Sequence, residues 1–226
     1  MYEFVSGPLA LTSFAIFFVG LIIRTVYYIK GLDWKLDRVA YREYPEYGFR
    51  GAVRSIILWL VPFGTRSWKA NPLFTITFFL FHLGVVITPI FLSAHNILLK
   101  EKLGIGLFSI PNGMADFLTV AVIVCAVFLI LRRIGLPEVR ILTTVYDYIL
   151  LGITVMPFIT GFIAFHQVSD YKFWLIIHII CGEIMLVAIP FTKLSHFVLF
   201  FLSRAQIGMD FGIKRGGMKN KKGMAW

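Results

Sequence analysis

The stretch that decides the fold is Phe173-Trp-Leu-Ile-Ile-His-Ile-Ile-Cys-Gly-Glu-Ile-Met-Leu-Val-Ala-Ile-Pro-Phe-Thr-Lys-Leu-Ser-His-Phe-Val-Leu-Phe-Phe-Leu-Ser203. It is apolar over far more than the roughly 20 residues a helix needs to cross a bilayer. His178 and His196 stand eighteen residues apart in it. At about 100° per residue, a straight helix places both imidazoles on one face, about 27 Å apart along its axis. That is close to the depth of the hydrocarbon core, about 30 Å. A polar ring in lipid is costly unless it has a partner, so intramembrane histidines are functional candidates. The reading built on this stretch is that its two histidines hold two haems, one near each face of a membrane.

The remainder of the chain fits a membrane protein. Its 226 residues are 58% hydrophobic and 15% charged, outside the usual range of soluble domains. Five apolar runs are long enough to span, giving an all-α fold with transmembrane helices at about 8–29, 72–95, 116–133, 142–165 and 173–203. They form a single membrane domain with a cytoplasmic loop over 30–71 and a basic cytoplasmic tail over 204–226. The first run has an early charge of the wrong sign, Glu3, and no small-residue cleavage site after it, so it reads as a retained helix.

The net charge of +10 is distributed by topology. Lysines and arginines between helices one and two, between three and four, and after five number seventeen; the opposite side has Lys100, Lys102 and Lys172. This positive-inside bias places the N-terminus outside and the C-terminus in the cytoplasm. Anionic lipid, rather than nucleic acid, is the expected neighbour of these cations. Within the first loop, Tyr44-Pro45-Glu46-Tyr47-Gly48 reads as a turn. The segment Ile56 to Phe63 is apolar but too short to span and fits the membrane interface, while the loop as a whole reads either as a solvated connector or as a docking surface for a cytoplasmic subunit.

The two cysteines, Cys125 and Cys181, fall inside predicted spans, and the sequence has no C-x-x-C-H motif. Any haem is then held noncovalently, and any iron-sulfur cluster belongs to a partner. Helix two carries His82 at mid-span and His95 thirteen residues later, about 20 Å further along and about 140° around an ideal helix. Pro89 lies between them and can change that relation. Helices two and five run antiparallel, so His82 pairs with His196 in the cytoplasmic half and His95 with His178 in the outer half. His166, at the outer end of helix four, is an alternative to His95. Lys193 shares a helical face with His196 and is placed to meet a haem propionate. Glu183 is an intramembrane carboxyl expected to face the bundle interior. Two imidazoles on opposite sides of a porphyrin give an electron-transfer haem with no open position at iron. Zinc or non-haem iron would need several ligands converging on one point.

Phe81-His82-Leu83-Gly84, the segment from Arg132-Arg133 through Leu136-Pro137 and Arg140 to Thr143-Thr144 with Asp147, and His178 through Pro190-Phe191-Thr192-Lys193-Leu194-Ser195-His196 resemble the gamma subunit of respiratory nitrate reductases. The resemblance covers about residues 80 to 200. It implies a five-helix cytochrome b of a prokaryotic cytoplasmic membrane, with two haems b per chain and menaquinone or another quinone as exchangeable substrate. The second histidine of helix two lies about one turn further on than in the nitrate enzymes, and the loop before that helix is longer. Both features point to a relative among the cytochrome b subunits of membrane redox complexes in sulfate-reducing bacteria. There the implied partners are a cytoplasmic iron-sulfur subunit, other membrane subunits and an extracytoplasmic multihaem cytochrome c.

On this reading, electrons pass between quinone near the outer face and the cytoplasmic iron-sulfur partner. Lys100, Lys102 and Asp170 are the charged groups on the outer side that could steer or deprotonate quinol. Two rivals follow from the same residues. One is a haem-free anchor or assembly subunit whose histidines bond neighbouring helices; the other is a transporter using Glu183 and Asp147 as a proton relay, against which stands the lack of an internal repeat.

Overall fold

In the computed structural model, residues 1–32 and 45–212 are described. The basic residues Lys35, Arg38 and Arg42 of the first loop, and the tail from Lys214 onward, lie outside the described residues. Among those described, all regular structure is helical. The main helices are α1 (Tyr2–Lys30), α2 (Pro45–Leu60), α3 (Pro72–Phe91), α4 (Ser93–Leu103), α5 (Asn112–Gly135), α6 (Val145–Phe165), α7 (Tyr171–Phe191) and α8 (His196–Gly212). Five of them, α1, α3, α5, α6 and α7, are long and apolar enough to cross a membrane. The chain is a multi-pass membrane protein.

A helix in lipid must satisfy its polar groups internally. Thr12, Thr119, Thr154 and Thr160 each donate a hydroxyl hydrogen bond to the carbonyl four residues back, at 2.8–2.9 Å. Helix ends are capped by side chains. Asp147 accepts from the Thr144 amide and hydroxyl, both at 2.9 Å, at the start of α6. Asp170 accepts from the amides of Lys172 and Phe173 at the start of α7. These are the positions where a carboxylate also meets the positive end of the helix dipole.

The chain divides into two compact units: Met1–Phe14 with Ile76–Val187, and Ala15–Thr75 with the residues from Ala188 onward. The first is organised around a core of Phe81, Val122, Cys125, Ala126, Val155 and Phe158, drawn from α3, α5 and α6. Gly84 makes the α3–α5 approach possible: a Cβ there would collide with Val122 and sit 3.1 Å from the Leu118 carbonyl. Large apolar side chains elsewhere on the spans, such as Leu83 and Val124, face outward as lipid contact requires. The second unit is built on α2 packed against α8. Gly208 of α8 lies directly on the Gly51 carbonyl of α2, with Ser55 beside it, a small-residue contact that any Cβ would open.

Four sequence expectations are corrected. The run 173–203 is not one helix. α7 ends at Phe191, Thr192 is extended (φ −122°, ψ −175°), a 3-10 turn covers Lys193–Ser195, and α8 follows. Pro190 lacks the amide that would continue the ladder, and Thr192 Oγ1 accepts from the Leu194 amide to cap a new start. The whole-turn relation of His178 to His196 therefore does not apply. Helix two likewise ends at Phe91, not at 95. Leu92 is extended (φ −66°, ψ 132°), and the Phe91 carbonyl is taken by the Ile110 amide at 2.9 Å. Part of the expected outer loop is then helical, as α4, which stops at Gly104 in the left-handed conformation (φ 71°). Finally, the loop 30–71 contains α2 and a short helix Arg66–Ala70. Pro45 opens α2 at its first position, where a missing amide costs nothing, instead of forming a turn. Tyr44 of that expected turn lies outside the described residues.

Candidate functional site

The break after α3 places His95 on the first turn of α4, and a Gly161 notch in α6 admits His178 from α7. The imidazoles of His95 and His178 stand with ring centroids 5.9 Å apart and planes within 18° of parallel. A continuous helix would engage the Pro89 carbonyl with the amide of residue 93. Because the chain turns extended at Leu92, that carbonyl instead accepts from His95 Nδ1 at 2.8 Å. His178 Nδ1 donates across to the Pro157 carbonyl of α6 at 2.9 Å, with Thr160 Oγ1 3.5 Å away. A Cβ on Gly161 would lie 2.8 Å from His178 Cε1 and 2.9 Å from Nδ1, so only glycine leaves room for the ring.

A carbonyl can only accept, so each of these contacts puts the proton on Nδ1 and the lone pair on Nε2. That is the tautomer in which an imidazole ligates a metal, held by an outer hydrogen bond. Burial pushes the His95 imidazole below its ordinary range and so favours the neutral ring, outweighing the opposite pull of the Pro89 carbonyl. His82 and His196 have the same arrangement. His82 Nδ1 donates to the Phe78 carbonyl at 2.8 Å, and His196 Nδ1 to the Lys193 carbonyl at 2.9 Å. These two belong to different units of the chain. Four of the five histidines thus share one tautomer.

His166 differs. Its Nε2 lies 3.3 Å from Asp116 Oδ1 at the surface, a pairing between the end of α6 and the start of α5. The structure brings His95, not His166, to His178.

The other sequence candidates are placed as follows. Lys100 and Lys102 are exposed on the last turn of α4, where cations complement the helix dipole. Asp170 is the cap of α7. Lys193 is exposed on the 3-10 turn, and its backbone carbonyl is the group that meets His196. Glu183 is buried, and neither carboxylate oxygen has a hydrogen-bond partner among the described residues. Asp147, the other half of the relay alternative, is engaged in its helix cap. Sequence reasoning missed Gly161, Thr160 and the two proline carbonyls. Pro89 was visible as a helix disturbance, but nothing in the sequence tells which ring will meet which carbonyl.

His95 and His178, each with Nδ1 engaged by a proline carbonyl, are the two imidazoles that lie together and the residues that would hold a haem iron. Among the described residues no three of His, Cys, Asp or Glu converge on one point. A haem iron takes its remaining ligands from the porphyrin, so a pair of imidazoles is a sufficient donor set.

No family model matches the chain, and no solved structure matches it. It is 53% identical over 226 residues to a protein of Nitratidesulfovibrio vulgaris (strain Hildenborough) that bears only the name "Protein", with all of both chains covered. At that identity over the full length of each, the chain belongs to one family with this Nitratidesulfovibrio vulgaris protein.

Proposed function

We propose that the chain is the dihaem cytochrome b subunit of a membrane respiratory complex, moving electrons between a quinone pool and an iron-sulfur partner on the cytoplasmic side. The observation that carries this reading is the apposed His95–His178 pair, with both Nδ1 atoms fixed on proline carbonyls. His95 and His178 would hold the outer haem, His82 and His196 the inner one, with Lys193 toward a propionate. Bound haem b would supply one-electron transfer at an iron whose axial positions are both filled.

The chain's own residues do the positioning. The proline carbonyls fix the ring tautomers, Gly161 opens the space for His178, and the apolar spans exclude water. Next to the pair in sequence, Thr88 adjoins Pro89 and Asn96 adjoins His95, and each keeps a buried oxygen without a hydrogen-bond partner among the described residues. These are polar positions suited to a quinone headgroup at that end. The charge asymmetry of the connecting segments supports an N-terminus outside and a C-terminus in the cytoplasm of a prokaryotic inner membrane. The resemblance to the nitrate reductase gamma subunit and to the cytochromes b of sulfate reducers agrees with this assignment.

The test is a reduced-minus-oxidised spectrum of membranes carrying the full chain, before and after adding a menaquinol analogue. A b-type band that the quinol reduces is expected. Membranes with abundant chain and no b-type band would favour a haem-free anchor.

A further inference from the structure

Helix α2 has two faces, and only one of them is used within its unit. Gly48, Ala52 and Ser55 are buried, on the side that meets α8. Trp59 extends this side with an edge contact to Trp68, 5.5 Å between centroids, and Arg204 of α8 stands 4.7 Å over the Trp59 ring. The opposite side presents Phe49 (69% exposed), Val53 and Ile57 (52%) at a spacing of four residues, an unbroken apolar stripe. Arg50 and Arg54 run beside it, also four apart. A shallow groove of about 410 Å³ is lined by Phe49, Arg50, Val53, Arg54, Ile57 and Leu58. No described acidic side chain pairs with either arginine; Arg50 only stands over the Tyr47 ring at 5.8 Å.

This juxtaposition has the chemistry of an anionic phospholipid: two forked cations one helical turn apart for a phosphate, and an apolar track about 12 Å long beside them for an acyl chain. A bilayer surface supplies both components at once, phosphates for the arginines and acyl chains for the stripe. The same chain contributes five apolar spans, so such a surface is at hand. We infer that α2 carries a bound anionic phospholipid, its phosphate held by Arg50 and Arg54 and one acyl chain lying along Phe49, Val53 and Ile57. The site sits at the α2–α8 unit, does not involve any of the histidines and holds whether or not haem is bound.

The experiment is native mass spectrometry of the full chain in detergent, titrated with phosphatidylglycerol and with phosphatidylcholine of the same acyl chains. Wild type is expected to retain phosphatidylglycerol roughly tenfold or more over phosphatidylcholine, from two arginines at a membrane surface. Arg50→Gln with Arg54→Gln is expected to bring the two lipids to parity, while Phe49→Ser with Ile57→Ser weakens both together. Arg132→Gln with Arg133→Gln, at the far end of α5, serves as the charge control and leaves the preference intact. Unchanged circular dichroism shows that the variants fold. Parity in wild type, or a preference that survives loss of Arg50 and Arg54, overturns the proposal. So does complete displacement of the lipid by inorganic phosphate, which would mean an anion site without an acyl track. Loss of a co-purifying protein in the Phe49/Ile57 variant, with lipid retention unchanged, would assign the surface to that protein instead.

Discussion

Two pairs in the same unit make opposite use of histidine. His95 and His178 come from α4 and α7 and face each other as two neutral rings, each tied through Nδ1 to a proline carbonyl. His166 and Asp116 come from α6 and α5 and meet as acid and base at 3.3 Å, with side chains 38% and 35% exposed. In the first pair the backbone has been opened to receive the rings: α3 breaks at Leu92, and α6 gives up a side chain at Gly161. In the second pair nothing has been rearranged. Two helix ends have been joined at a surface where either partner is already solvated. The difference teaches that a histidine's role is written less in its distance to a neighbour than in what the surrounding chain has yielded to hold it.

The comparison can be broken most severely at His178. His178→Ala is expected to halve the haem b bound per chain, read by pyridine haemochrome, while the helical content stays that of wild type. Unchanged haem content would remove the outer pair from the account. Next comes the Gly161 notch. Gly161→Ala puts a methyl group 2.8 Å from His178 Cε1, and displacing a ligand's supporting geometry costs about tenfold or more in affinity. Haem titration of the apo-chain should show that loss in one site only; Gly152→Ala, with open space around it, should not.

A smaller effect is expected at Asn96. Its Nδ2 donates to the Phe108 carbonyl and to Ser109 Oγ, both at 2.9 Å, and so pins the segment after α4 beside His95. Asn96→Ala strands the Phe108 carbonyl, at a cost of about 1–3 kcal/mol. A lower thermal midpoint in detergent, with the outer haem lost before the inner one, is the outcome to look for. The smallest effect belongs to the surface pair. His166→Ala or Asp116→Asn should change stability by no more than about 1 kcal/mol, since both groups are well exposed, and leave haem content untouched. A large loss of haem from His166→Ala would erase the contrast between the two pairs.

Hydropathy made the five spans legible, because length and apolarity are properties of a segment alone. The breaks were harder. The one at Thr192 had a signal in Pro190, two residues earlier, followed by a threonine able to cap. The one at Leu92 depends on the Ile110 amide reaching the Phe91 carbonyl, a contact nineteen residues away that no local pattern encodes. Helix α2 had a readable start, proline at its first position and Glu46 in the first turn, but the polar residues around it drew the reading toward a turn. At the site, the histidines themselves stood out as polar rings in apolar runs. Their tautomers did not, because the carbonyls that set them are six and twenty-one residues away. Gly161 looked like any small residue in a membrane helix until the ring it accommodates was in place.

Whether the histidine pairs hold haem is read from the pyridine haemochrome of the purified full chain, with iron quantified per chain. Two haems b per chain is the predicted result, one for each histidine pair. A folded chain that binds neither haem nor iron would rule out the dihaem assignment.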